Sequence, residues 1–309
     1  MTALEVLRRW REPLTVMEVC GTHTAAIAKS GIRSLLPENI RLVSGPGCPV
    51  CVTEAGFIDG LIREGRQPDT VVLSFGDLLK VRGSEQSLAE GLRNGVRVVY
   101  NPLEAAALAR DNPGTRYVLA AVGFETTIPL YALLLDTIRR EKLDNLFLMP
   151  ALKTMIPAMA YICEQEAINA FLCPGHVSVI IGSRAFEPLC ARYRKPFVVA
   201  GFAPEQILAA LAEMCVQTQR GEYTVANLYS TVVKPEGNPK ALAKMDEYFL
   251  PYESGQSEVA QGCRCADVLL GRIPPADCPL FGRVCTPANP VGACMTSQEG
   301  ACGVWYQYV

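Results

Sequence analysis

Short runs of β-branched and aliphatic residues alternate along this chain with longer stretches whose apolar side chains recur every three to four positions. In the first third, Leu14 to Val19, Ile40 to Val43, Thr70 to Phe75 and Val96 to Tyr100 read as strands with helices between them. Parallel neighbours need a crossover, so this alternation predicts a parallel sheet. A second series follows, with strands expected at Tyr117 to Val122, Leu146 to Met149, Ala170 to Leu172 with Val177 to Ile181, and Phe197 to Ala200. The two halves read as variants of one plan. Asp111-Asn112-Pro113-Gly114 has strong turn chemistry and separates them, and Lys234-Pro235-Glu236-Gly237-Asn238-Pro239 marks a second boundary. The expected division is 1–113 and 114–235 as α/β domains, then a C-terminal region, 236–309.

The C-terminal region breaks the pattern. Six of the thirteen cysteines fall between Cys263 and Cys302, among prolines and glycines and with few apolar runs. Such a segment cannot fold on hydrophobic burial alone, so a metal centre or crosslinks must contribute. The 309 residues are half hydrophobic and only 7% aromatic, and charge or Pro/Gly interrupts each apolar run before membrane-spanning length. Lys plus Arg total 29 against 31 for Asp plus Glu, with no dense basic run, so nothing electrostatic points to nucleic acid or an anionic membrane. The first eleven residues lack the apolar stretch and cleavage site of a secretory signal, and cytoplasmic residence is the expectation. In a cytosolic chain, thirteen cysteines point to metal or redox work rather than to a disulfide framework.

The candidate chemistry lies where strands end, the usual ligand position in an open α/β sheet. Cys20 precedes Gly21 in Met17-Glu18-Val19-Cys20-Gly21-Thr22-His23-Thr24, and His23 can ligate a metal or hydrogen-bond a bound group. Cys48 and Cys51 form a Cys-x-x-Cys pair after Gly45-Pro46-Gly47. A helix start there would lower a thiol pKa, and the pair can close to a disulfide and store two electrons. In the second half, Glu125 of Gly123-Phe124-Glu125-Thr126-Thr127 is a candidate proton relay or acceptor across the cleft, and His176 lies in Cys173-Pro174-Gly175-His176. Solvation for Glu125 and a structural role for either histidine are the plain alternatives. Cys163, Cys190 and Cys215 fall in predicted helices and are assigned to packing. No Walker loop or dinucleotide fingerprint is present.

In the tail, Cys278, Cys285, Cys294 and Cys302 are separated by six, eight and seven residues, unlike the tight pairs of zinc fingers. Four thiolates at this spacing suit an iron-sulfur cluster, and structural zinc is the alternative. Cys263 and Cys265 stand too close together to reach two cluster corners easily, so they are expected as a thiol pair beside it.

Taken together, these motifs resemble the HypD family of hydrogenase maturation proteins, as do Cys278-Pro279-Leu280-Phe281-Gly282, Cys285-Thr286-Pro287 and Glu299-Gly300-Ala301-Cys302. The resemblance implies two Rossmann-like parallel-sheet domains facing a cleft, plus a small C-terminal domain holding a [4Fe-4S] cluster. It also implies a scaffold on which iron receives cyanide and carbon monoxide ligands. A small HypC-like chaperone would be the partner and a HypE-like protein the cyanide donor, and the free chain is expected to be monomeric. By the same resemblance Cys20 is the iron ligand, Cys48 and Cys51 are redox thiols beside it, and the tail cluster supplies their electrons. The chain departs from the family pattern at Ala25, where a second histidine is common, and in the Asn238 to Gly262 connection, where Asp246-Glu247-Tyr248-Phe249-Leu250 replaces a tryptophan- and glycine-rich stretch. A cluster-dependent thiol-disulfide reductase with no iron at Cys20 is the alternative function.

Overall fold

The computed structural model describes residues 2–249 and 262–309. Nine strands form two sheets. They are β1 Leu14–Glu18, β2 Ile40–Ser44, β3 Thr70–Ser74, β4 Val96–Val98, β5 Arg116–Gly123, β6 Leu146–Leu152, β7 Ala170–Cys173, β8 Phe197–Val199 and β9 Val225–Asn227. One sheet has the order β2-β1-β7-β8-β9 and the other β4-β3-β5-β6, and every pairing is parallel. The α/β class with two parallel sheets is therefore as the alternation predicted. Sheet membership, however, crosses the boundary expected at residue 113: each sheet draws strands from both sides of it. Strand hydrophobicity shows that a segment is buried on both faces, but not which neighbour it takes.

The expected strand at Val177 to Ile181 is a helix, Gly175–Ile181. Its β-branched residues favour a strand, but Pro174 occupies the N-cap and its carbonyl accepts from Ser178 N at 2.9 Å, which starts a helical turn directly after β7. Strand β9 was not anticipated, because Val225-Ala226-Asn227 lacks the continuous apolar run that marks the equally short β8.

Alternation along the strands supplies two faces per sheet. In the five-stranded sheet, Leu14, Val16, Leu42, Leu172 and Val198 point into one core, closed by the helices Ala3–Arg9 and Pro204–Arg220. Met17, Val19, Val43, Phe171, Phe197 and Val199 point into the other, which includes Phe124 and Met155. One face of the four-stranded sheet packs on Tyr131 and Leu134 of the helix Ile128–Glu141. The opposite face shares a continuous core with Cys48, Cys51, Cys265, Cys285, Cys294 and Cys302, so the cysteine-rich region is docked on this sheet. Residues 250–261 of the Asn238 to Gly262 connection lie outside the described residues. No helix among the described residues is long and apolar enough to cross a membrane.

Candidate functional site

The carboxyl ends of β1 and β2 are fixed by a buried polar network. Glu18 is 1% exposed; its Oε1 accepts from Ser44 Oγ at 2.8 Å and pairs with Arg33 Nη2 at 3.0 Å. Arg33 also donates to Leu42 O at 2.6 Å. Burial raises the Glu18 pKa, and the Arg33 charge and Ser44 hydroxyl work against that rise.

Directly after β1, Cys20 is the N-cap of the helix Gly21–Lys29 and is 7% exposed. Burial pushes its thiol pKa up, the backbone N–H groups of His23 and Thr22 lower it, and Glu299 raises it. The Gly45-Pro46-Gly47 turn lies against this residue: a Cβ on Gly47 would come within 2.6 Å of the Cys20 backbone. Glycine is needed because two backbones touch here. Gly21 meets Glu299 in the same way, at 2.4 Å, and Thr22 Oγ1 donates to Glu299 Oε1 at 3.0 Å.

Cys48 and Cys51 flank and enter a short 3-10 turn, Val50–Val52, rather than opening an α-helix; the helix Ala55–Gly65 begins later. The lowered thiol pKa predicted for this pair is found at Cys48, but its chief cause is different. It is the Cys51 thiol donating to Cys48, with Ser297 and backbone N–H groups assisting against burial. Cys51 is raised well above the usual thiol range by that same bond and by burial, and further by charge on Cys48, Cys294 and Cys265.

The tail cysteines continue this line. Gly300 lies over Cys51, its ideal Cβ 3.0 Å from the sulfur. Cys265 hydrogen-bonds to Cys294, and Cys294 donates to Cys302 with sulfurs 3.2 Å apart. Burial pushes Cys263 up to about 12, helped by charge on Cys265, Cys278 and Cys285. Cys285 Sγ accepts from Val291 N at 3.3 Å. Gly292 lets the chain pass among these sulfurs: its Cβ would lie 2.5 Å from Cys263 Sγ and 3.9 Å from Cys294 Sγ. Six soft donors in one buried region suit an iron-sulfur centre chemically. Among the described residues no group of three or more His, Cys, Asp or Glu side chains stands in metal-holding geometry, and the thiols contact one another instead.

His23 is fully buried, with Nε2 3.1 Å from Gly201 O and its ring 4.6 Å from that of Phe202. Burial lowers its pKa to about 4, and its Nδ1 has no hydrogen-bond partner. The His176 ring lies tilted against the same Phe202 ring at 4.4 Å, so the two histidines predicted separately meet at one ring. Glu125 is 2% exposed, which removes solvation as its role; Oε1 accepts from Met155 N at 2.7 Å and Oε2 is unpartnered. Burial raises its pKa. Ser297 and Phe202 were not singled out from sequence, and Glu299 only as part of the Glu299-Gly300-Ala301-Cys302 motif. Glu299 and Ser297 stand three and five residues before Cys302 in the chain but reach residues 22 and 77.

These features define a two-sheet α/β thiol protein whose cysteine-rich C-terminal region is docked against the strand-end motifs. A family model described as HypD, hydrogenase formation hypA family, matches residues 1–256 and 250–309. A hydrogenase expression/formation protein of Methanocaldococcus jannaschii is 38% identical over 96% of this chain and 92% of its own length. The hydrogenase maturation factor HypD of Escherichia coli is 37% identical, covering 96% and 89%, and the hydrogenase expression/formation protein HupD of Azotobacter chroococcum is 37% identical, covering 95% and 89%. The chain belongs to the HypD family of hydrogenase maturation factors.

Proposed function

We propose that this protein is a scaffold and thiol-redox protein for assembling the iron centre of nickel-iron hydrogenase. The observation that carries this reading is the line of thiols from the Cys20 wall, through Cys48 and Cys51, to Cys294 and Cys265. In it, Cys20 holds the substrate iron while cyanide and carbon monoxide are added, with a HypC-like chaperone and a HypE-like cyanide donor as partners. Burial keeps water from a thiolate-bound iron, and the N–H groups of Thr22 and His23 stabilise the thiolate. His23 and His176, both against Phe202, and Glu125, bonded to Met155 N, brace the strand ends in this reading.

Cys265 and Cys294 are hydrogen-bonded and are the tail thiols whose charge reaches Cys51. They form the second dithiol, in place of the Cys263 and Cys265 pair that spacing suggested. In this reading Cys263, Cys278, Cys285 and Cys302 hold a [4Fe-4S] cluster; the set Cys278, Cys285, Cys294 and Cys302 expected from spacing is the alternative that the same analysis distinguishes. Bound there, the cluster supplies single electrons. A reduced Cys265 and Cys294 pair would open a Cys48–Cys51 disulfide by thiol-disulfide exchange, giving two thiols there and a Cys265–Cys294 disulfide, which two electrons from an external low-potential donor and two protons would return to thiols. The polarised Cys48 and Cys51 pair also suits a plain thiol-disulfide reductase, which would tolerate loss of Cys20.

Iron and sulfide analysis of anaerobically purified Cys-to-Ser variants tests both the reading and the partition. About four iron and four sulfide per chain are expected, lost on substitution of Cys263, Cys278, Cys285 or Cys302 and kept in Cys265→Ser, Cys294→Ser and Cys20→Ser. Cys20→Ser should lose only the separate substrate iron and the chaperone. Zinc without sulfide would overturn the cluster, and unchanged iron and partner binding in Cys20→Ser would favour the reductase.

A further inference from the structure

The helix Pro239–Tyr248 belongs to neither sheet and touches both sides of the molecule. Its N-terminal end is fastened to the five-stranded side. Asn238 N donates to Ile180 O at 2.9 Å, and Arg184 N to Pro235 O at 3.1 Å. Gly182 and Gly237, at φ +81° and +71°, press backbone on backbone, so that a Cβ on either would lie 2.2 Å from a carbonyl oxygen of the other segment. The C-terminal end grips the helix Ile128–Glu141 on the four-stranded side through a set of polar contacts. Lys244 Nζ lies 2.7 Å from Asp136 Oδ2, Tyr248 OH donates to Asp136 Oδ1, and Arg139 reaches Glu247 at 3.9 Å and lies over the Tyr248 ring at 5.2 Å. Phe249 adds one partly buried apolar contact.

The position of this strap gives it a consequence for the site. Its base is bound to the helix that starts at Cys173-Pro174-Gly175-His176, and the helix it grips starts after Glu125-Thr126-Thr127. These are two of the strand-end motifs of the cleft. The C-terminal region ties the cleft together elsewhere through tighter contacts: Gly21 on Glu299, Ser297 Oγ to Asp77 Oδ2 at 3.1 Å, and Lys80 Nζ to Pro287 O at 3.1 Å. We propose that Pro239–Tyr248 is an ionic latch that ties the far ends of these two helices and so holds the two sheet units together, and that its release lets the strand ends that carry Cys20, Cys48 and Cys51 part about the C-terminal region. Exposed ion pairs are individually weak and are screened by salt, whereas the backbone contact of Gly182 with Gly237 is not. The latch therefore lets go at its Asp136 end and stays attached at its base. The latch rests on contacts alone and is independent of whether Cys20 holds iron.

The rate at which neutral iodoacetamide alkylates Cys20 in the reduced full chain, read by mass spectrometry, tests this. Cys215, on the buried face of the helix Pro204–Arg220, serves as the internal control. In the unaltered protein the Cys20 rate should rise roughly three- to ten-fold between ~0.05 M and ~1 M NaCl. Lys244→Glu and Asp136→Asn should react at the faster rate already at low salt, with Cys215 unchanged. Equal Cys20 rates under all conditions would overturn the latch, and so would parallel acceleration of Cys215, which signals general loosening.

Discussion

Cys48 and Cys51 show how two chemically identical side chains acquire different roles from three residues of chain. The Cys51 thiol donates to Cys48, so the charge settles on Cys48 and is discouraged on Cys51. Limited alkylation near neutral pH should therefore modify Cys48 before Cys51. Cys51→Ala removes the donor and should slow Cys48 labelling several-fold, since thiolate fraction governs the rate. Preferential labelling of Cys51 would contradict this. His23 has a second testable signature. Its pKa falls from 6.5 to about 4 on folding, so between those values the unfolded chain binds more protons and stability rises with pH. The slope approaches about 1.4 kcal/mol per pH unit inside that window and vanishes above it. Glu18 and Glu125, with raised pKa values, act in the opposite direction as pH rises through their range. Urea unfolding of the unaltered protein and of His23→Gln at pH 5 and 7 isolates the histidine: the variant should lose much of the pH 5 to pH 7 gain.

At the scale of elements, the turn Gly45-Pro46-Gly47 brings the dithiol to Cys20. Its place after a strand was legible in the sequence, and so was the need for glycine. What the glycine touches was not, because Gly47 packs on a residue 27 positions earlier. Gly47→Ala should destabilise the protein by roughly 1–3 kcal/mol through overpacking, measured by denaturant unfolding, while Gly56→Ala, whose Cβ meets open space, should not. The strands were legible to within one or two residues wherever burial was continuous, as in β1, β3 and β5. They were misread at Val177–Ile181, where a proline-capped turn overrides β-branched preference, and missed at β9. Glu125 was legible as special but not as buried, since nothing local announces that Met155 N will bond to it.

For the whole molecule, the sequence foretold two parallel sheets and a cysteine-rich tail, yet pairing exchanges strands between the halves, with β1 beside β7 and β3 beside β5. The exchange sets strand ends from distant motifs facing one another and lets the tail dock on both. Glu299 reaches Thr22, Ser297 reaches Asp77, and Cys294 approaches Cys51, so the thiols line up only in the folded chain. Long-range pairing of this kind has no periodic signature. The most direct test of the thiol line is the rate at which the oxidised Cys48–Cys51 disulfide opens when anaerobic, cluster-containing protein receives dithionite, followed by thiol trapping and mass spectrometry. Opening in the unaltered chain, slowed at least roughly ten-fold in Cys294→Ser while iron and sulfide stay intact, is the predicted result. Opening at an equal rate in both proteins would show that electrons reach Cys48 and Cys51 by another route and would contradict the relay.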